Sequence, residues 1–270
     1  MGTVAGAARP RPETDHIGGF RASPADVAGH RYQLWGADGP GVLQLAGRVI
    51  GGNYLGMELV KNPLFARYFD RCGARNEERG NRELRRELLA GLSGRAMEVG
   101  AGTGLNFPHY PVLVREVVAV EPEPYLRGRA MEAAAAASVP VRVADGTAAE
   151  LPAADGEFDA VVISGLLCSV SDVPAALAEF ARVLRPGGQL RFYEHVRSRD
   201  ALFARFQQAA DLVWPHLMGG CHVQRQTRAA IGRVFTIEAC RGFRFPPSAV
   251  LSPVAPRILG AARKTGNSAS

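Results

Sequence analysis

The sequence predicts an α/β protein built on a mostly parallel sheet, and three observations carry that expectation. Short apolar runs of strand composition alternate with stretches of helical spacing from residue 95 onward. The first run, Ala96-Met97-Glu98-Val99, breaks directly into Gly100-Ala101-Gly102-Thr103-Gly104, a turn that a ligand can approach without meeting side chains. Acids close the first three runs: Glu98, Glu121 and Asp145. In open sheets of this kind, ligands sit outside the carboxyl ends of the strands.

The elements follow in order. Residues 1–30 are rich in Ala, Gly, Pro and Arg without periodicity and read as a flexible N-terminus. Residues 31–92 read as a helical cap or lid. Its first half sets Tyr32, Trp35 and Tyr54 among many glycines, and three readings stay open for it: a lid, a plain cap, or a weak membrane-surface segment. Arg48 and Glu58 interrupt its apolar run, so it does not read as a membrane span. After Asn62-Pro63, Phe65, Tyr68 and Phe69 recur at helical spacing, and Leu84, Leu88, Leu89 and Leu92 form the apolar side of a second helix over 81–92. Strands are expected at 95–99, 116–121, 139–144, 158–164 and 189–195. Helices are expected at 123–137, 174–184 and 199–217. Proline and glycine in Arg185-Pro186-Gly187-Gly188 end the 174–184 helix. Strands near 236–243 and 254–263 complete seven as an antiparallel closing pair. Residues 93–265 thus form the ligand-binding domain, with helices on both faces of the sheet.

Composition narrows the classes. A chain of 270 residues with 47% hydrophobic and 21% charged content fits a soluble globular protein. The net charge of +6 is carried by arginine, since Lys61 and Lys264 are the only lysines. The arginines are interleaved with acids, as in Glu83-Leu84-Arg85-Arg86-Glu87, which reads as a solvated helix face and not as a nucleic-acid stripe. Cys72, Cys168, Cys221 and Cys240 are far apart and form no C-x-x-C pair, so no metal site or redox motif is expected. The N-terminal stretch lacks the apolar core of a signal peptide, and a reduced, cytoplasmic protein is expected, monomeric or homodimeric.

The strand ends suggest the chemistry. Glu121 lies about 20 residues beyond the glycine turn, where an acid can accept from both hydroxyls of a ribose. Asp145-Gly146 can accept from an exocyclic amine, and Ser164 and His195 end the fourth and fifth strands. A rim of acceptors suits a diol, an amine and a cation, and disfavours a phosphate-bearing ligand, which prefers donors. The dinucleotide fingerprint G-x-G-x-x-G is absent, because Leu105 stands where its third glycine belongs.

The E-x-G-x-G-x-G turn resembles the first motif of class I S-adenosylmethionine (SAM) methyltransferases. Phe158-Asp159-Ala160-Val161-Val162 and Arg182-Val183-Leu184-Arg185-Pro186-Gly187-Gly188 resemble the ubiquinone/menaquinone-biosynthesis-like group of that family. Asn106-Phe107-Pro108-His109-Tyr110, Leu167-Cys168-Ser169-Val170, Tyr193-Glu194-His195-Val196, Gly220-Cys221-His222 and Thr227-Arg228 are similar to the branch holding the animal thiol methyltransferases. The resemblance runs from about Arg95 to Phe245. It implies a Rossmann-like seven-stranded fold and SAM as cofactor. It also implies Glu98, Gly100, Gly102 and Gly104 at the methionine end, Glu121 at the ribose, Asp145 and Gly146 at the adenine, and Ser164 beside the sulfonium. The animal members begin with a hydrophobic anchor that residues 1–60 do not resemble, so no stable membrane anchor is expected.

The expected activity is methyl transfer to a nucleophilic atom of a small apolar or aromatic molecule, a thiol or the C, N or O of a natural product such as an indole. His195 is the first candidate base and His222 the second. Cys168 and Cys221 read as packing residues, and Tyr32, Trp35, Tyr54 and Tyr68 as the acceptor pocket. Two other classes compete. A nucleic-acid methyltransferase usually carries Asp/Asn-Pro-Pro-aromatic where this chain has Ser164-Gly165-Leu166-Leu167, and no nucleic acid is expected as partner. A non-catalytic SAM-binding module is the other.

Overall fold

A computed structural model describes residues 63–249 and 251–265; the readings of residues 1–62, including Tyr32, Trp35 and Tyr54, lie outside them. Helix α1 (Pro63–Asn76) passes through a kinked turn, Glu77–Asn81, into α2 (Arg82–Leu89). The alternating region then follows as β1 (Gly94–Val99), β2 (Val114–Val120), α3 (Pro124–Ala134), β3 (Val141–Ala144), β4 (Phe158–Ser164), α4 (Val173–Val183) and β5 (Leu184–His195). Short helices α5 (Ala201–Ala210), α6 (Trp214–Leu217) and α7 (Thr227–Ile231) lead to β6 (Thr236–Arg244) and β7 (Pro256–Arg263).

The seven strands form one sheet in the order β3-β2-β1-β4-β5-β7-β6. The first five in that order pair in parallel, and β7 runs antiparallel to both β5 and β6. The order reverses between β1 and β4, which opens the crevice at their carboxyl ends.

Alternation along the strands sorts the core into two layers. Met97, Val99, Val118, Val120, Val161 and Ile163 face one side and meet Leu177, Phe180 and Val183 of α4. Ala96, Val117, Ala119, Ala160 and Val162 face the other and meet Leu84, Leu88 and Leu89 of α2 and Ala130 of α3. Strands buried on both faces read as the continuous apolar runs seen in the sequence. Three helices start on acids that accept from their own first turn: Glu123 from Leu126 N–H at 2.7 Å, Asp172 from Ala175 N–H at 2.9 Å and Asp200 from Phe203 N–H at 2.7 Å.

Two expectations need correction. The helix expected over 199–217 is broken after Ala210. The Asp211 carboxylate there turns to hold Val223 N–H at 2.7 Å and His222 Nδ1 at 3.1 Å, and Pro215 has no N–H with which to continue a ladder. The fifth strand begins at Leu184 and not at Gln189, because Leu184 already pairs with Phe158; the register then slips by a bulge over Arg185–Gly188 before Gln189 meets Ala160.

Candidate active site

The carboxyl ends of β1, β4 and β5 open on a cavity of about 470 Å³. Gly100, Ala101, Gly102 and Thr103 form one wall, with Glu98 and Asn106 behind them. Ser164, Gly165, Cys168, His195 and Cys221 form a second corner. Aromatic and apolar side chains complete it: Phe65, Tyr68 and Phe69 from α1, Trp214 and Met218 around α6, and Phe245 beyond β6.

The first corner is built on the glycine turn. Gly100, Gly102 and Gly104 all adopt positive φ, 71°, 58° and 79°. At Gly100 a Cβ would also lie 2.7 Å from Leu166 Cδ1, so a side chain there is strained by its φ and would have to displace Leu166. Glu98 is buried beneath the turn, where its oxygens accept from Asn106 Nδ2 at 2.9 Å and Tyr110 Oη at 2.8 Å. Asn106 Oδ1 in turn accepts from Arg85 at 2.8 Å, and Arg85 pairs with Glu77 at 2.7 Å. Burial pushes the Glu98 carboxyl up to about 7, against the two hydrogen bonds that favour its ionised form.

Glu121, one residue past β2, braces the same turn. Its Oε2 accepts from Gly102 N–H at 2.8 Å and its Oε1 from Glu123 N–H at 3.0 Å. Burial raises its pKa, while those two backbone donors oppose the shift. Asp145 is different: its side chain is 71% exposed and pairs with Arg127 at 3.1 Å. Arg127 also donates to the Glu121 carbonyl at 2.8 Å, which ties the ends of β2 and β3 together. Glu121, Asp145 and Gly146 lie outside the cavity lining, and a Cβ on Gly146 would press on Val120 and Pro152 at about 3 Å.

The second corner brings together residues that the sequence keeps apart. Cys168 lies in the turn after β4, His195 ends β5 and Cys221 follows α6. His195 Nε2 is 3.0 Å from Cys221 Sγ, and His222 N–H donates to the Cys168 carbonyl at 2.9 Å. The absence of C-x-x-C spacing pointed away from a cysteine cluster; the fold makes one, with the donor atoms of Cys168, His195 and Cys221 within 4.8 Å of one another. Both thiols are also buried in a small apolar cluster with Val223. Their mutual hydrogen bond raises Cys168, helped by burial, and lowers Cys221. Burial works against a charged His195, but the Cys168 sulfur outweighs it and the imidazole titrates above its ordinary value. Glu194 beside it is fully buried; its Oε1 accepts from Leu166 N–H at 2.8 Å, and burial pushes its pKa up to about 7.

The remaining candidates divide. Tyr68 lines the cavity, and its hydrogen bond with Cys72 raises its phenol pKa. His222 lies outside the lining, held by Asp211. Arg85, Asn106 and Tyr110 were not singled out as site residues, although Asn106 and Tyr110 belong to a motif read from the sequence.

A family model described as a methyltransferase domain matches residues 97–192. Thiol S-methyltransferase TMT1B of Homo sapiens is 34% identical over 219 residues, which span 75% of this chain and 88% of that protein. A demethylmenaquinone methyltransferase of Mycolicibacterium paratuberculosis is 53% identical over 74 residues, 27% of this chain and 31% of that one. A SAM-dependent methyltransferase from Thermotoga maritima superposes with a TM-score of 0.55 at 21% identity, covering 74% of this chain and 98% of that one, which speaks for the fold.

Proposed function

We propose that this chain, which belongs to the class I SAM-dependent methyltransferases, transfers a methyl group to the sulfur of a small apolar thiol. SAM, when bound, supplies an electrophilic methyl group already activated by its sulfonium, so the protein's task is mainly position and exclusion of water. One observation supports the reading most: a single cavity joins the glycine turn to a corner of Cys168, His195 and Cys221 under aromatic walls.

The residues of the first corner fit SAM. The turn offers its backbone at Gly100 and Gly102 to the cavity without a side chain between. Each Glu121 oxygen has one backbone donor and keeps lone-pair capacity for a ribose hydroxyl. Asp145 offers an exposed acceptor at the end of β3, with Gly146 beside it, for the adenine amine. Glu98, through Asn106 and the turn, holds the wall that faces the methionine part, and Ser164 ends β4 beside it. At the ribose and adenine end, Arg127 is bound to Asp145 and to the Glu121 and Pro122 carbonyls, which leaves acceptors for a diol and an amine.

The acceptor enters against Phe65, Tyr68, Phe69, Trp214 and Phe245, which favour an apolar body. Its proton leaves at the Cys168–His195–Cys221 corner. Relatives named thiol S-methyltransferases, at 34% and 38% identity, support sulfur as the methylated atom.

The test is incubation with methyl-labelled SAM and a panel of apolar thiols, indoles and catechols, read by mass spectrometry. S-methylated products from the thiols alone are expected. Labelling of indoles or catechols with no labelled thiol would overturn the choice of sulfur.

A further inference from the structure

We propose that Cys168, His195 and Cys221 form a zinc site, open on its fourth side to the cavity, and that this metal receives the acceptor's sulfur. The donor atoms of the three side chains lie within 4.8 Å of one another. The edges of a zinc tetrahedron with these ligands are about 3.5–4 Å. His195 Nε2 and Cys221 Sγ lie 3.0 Å apart, somewhat closer than such an edge.

The framework is rigid where such a site needs it. His195 is the last residue of β5 and pairs across to Arg257 on β7. The backbone bond from His222 N–H to the Cys168 carbonyl fixes the two cysteine segments side by side, and Cys221 N–H donates to the Met218 carbonyl at 3.1 Å. Both sulfurs are buried, while His195 is partly open on the cavity side. Two sulfurs and one imidazole nitrogen suit zinc and do not suit magnesium or calcium, which take oxygen. Three protein ligands with an open fourth position is the arrangement of a working metal, where four would be structural. A separate feature points the same way. Glu194 Oε2 is buried at the neighbouring position with no hydrogen-bond partner among the described residues.

The second half of the proposal rests on the thiol reading above. An acceptor R–S–H entering the open position forms an S–Zn bond and releases its proton to solvent, leaving a thiolate held next to the glycine turn. The metal keeps its oxidation state throughout.

The experiment is cobalt titration of the reduced, chelator-stripped full chain, read by absorption. About one equivalent of Co²⁺ is expected to bind, with strong sulfur-to-cobalt charge transfer in the near ultraviolet and the intense visible bands of a tetrahedral ion. Zn²⁺ should displace it. Cys221→Ser should lose the charge-transfer band in large part, and Cys240→Ser, on β6, should retain it. Failure of the wild-type chain to take up cobalt, or the weak spectrum of an oxygen-bound ion, would overturn the site without any variant having to fold. Addition of an apolar thiol should then shift the charge-transfer band. A bound metal with no such shift would remove the acceptor half and keep the metal half. Thiol methylation by a chain that binds no metal would sink the zinc site and leave the methyltransferase reading standing.

Discussion

The two corners of the cavity are built in opposite ways. At the glycine corner, almost everything comes from neighbouring sequence: Glu98, Gly100, Gly102 and Asn106 lie within nine residues, and Glu121 follows at the next strand end. At the sulfur corner, Cys168, His195 and Cys221 come from three segments that meet only because β4 pairs with β5 and α6 folds back over them. The first corner is stabilised by hydrogen bonds from backbone and amide donors to buried carboxylates. The second holds its thiols and imidazole against one another, with Gly165 and Ser169 also beside Cys168. In the proposed reading, cofactor recognition draws on neighbouring residues of the chain, and acceptor chemistry on the tertiary fold.

Variants can separate the two. The largest effect should follow His195→Ala, which removes the centre of the sulfur corner. Turnover should fall roughly 10²-fold or more, the scale of a lost proton-handling group, while SAM affinity stays within a few-fold. Equal losses in both quantities would mean that the corners are not separable. Next is Glu121→Ala, which removes the brace of the glycine turn. SAM binding measured by calorimetry should weaken by about 1–3 kcal/mol, the scale of charged hydrogen bonds lost from a buried site. An unchanged affinity would place the ribose elsewhere.

A global effect distinguishes the buried Glu98. Its folded pKa, near 7, stands above the ordinary value of 4.5, so the folded state binds more protons between those limits. Its contribution to stability is therefore complete below pH 4.5 and is lost as the pH rises through 7, by up to roughly 3 kcal/mol. The groups facing it are Tyr110, Asn106, Arg85 and Glu121. Urea unfolding at pH 5 and pH 8 should show that loss in the wild type and a flatter profile in Glu98→Gln. The same slope in both would assign the pH dependence to other groups. The least effect is expected from Asp145→Asn. Its exposed ion pair with Arg127 adds about 0–1 kcal/mol, so unfolding free energy should barely move, and SAM affinity should shift less than in Glu121→Ala.

The same contrast explains what could be read from the sequence. The strand ends were legible because a parallel strand buried on both faces is a short apolar run, and Val99, Val120 and Ser164 fall where those runs stop. That rule marked Glu98, Glu121 and Ser164 as strand-end residues, and the family resemblance gave their expected roles. The break after Ala210 was not legible, since it depends on Asp211 reaching Val223 and His222 across a fold not yet formed. The chain from Glu77 through Arg85 and Asn106 to Glu98 was hidden for a related reason: α2 must first pack beside β1 before Arg85 can reach the turn. The sulfur corner is the extreme case. No spacing rule joins Cys168 to Cys221, and only the pairing of β4 with β5 and the bond from His222 to Cys168 make them neighbours.

The separation of the two corners is tested most directly by titrating SAM into the wild-type chain and into a Cys168→Ser, Cys221→Ser double variant, with methyl transfer to an apolar thiol measured on the same samples. The account expects SAM affinity within a few-fold of wild type and methyl transfer reduced to background. Loss of SAM binding by a folded double variant, or full methyl transfer without either sulfur, would contradict it.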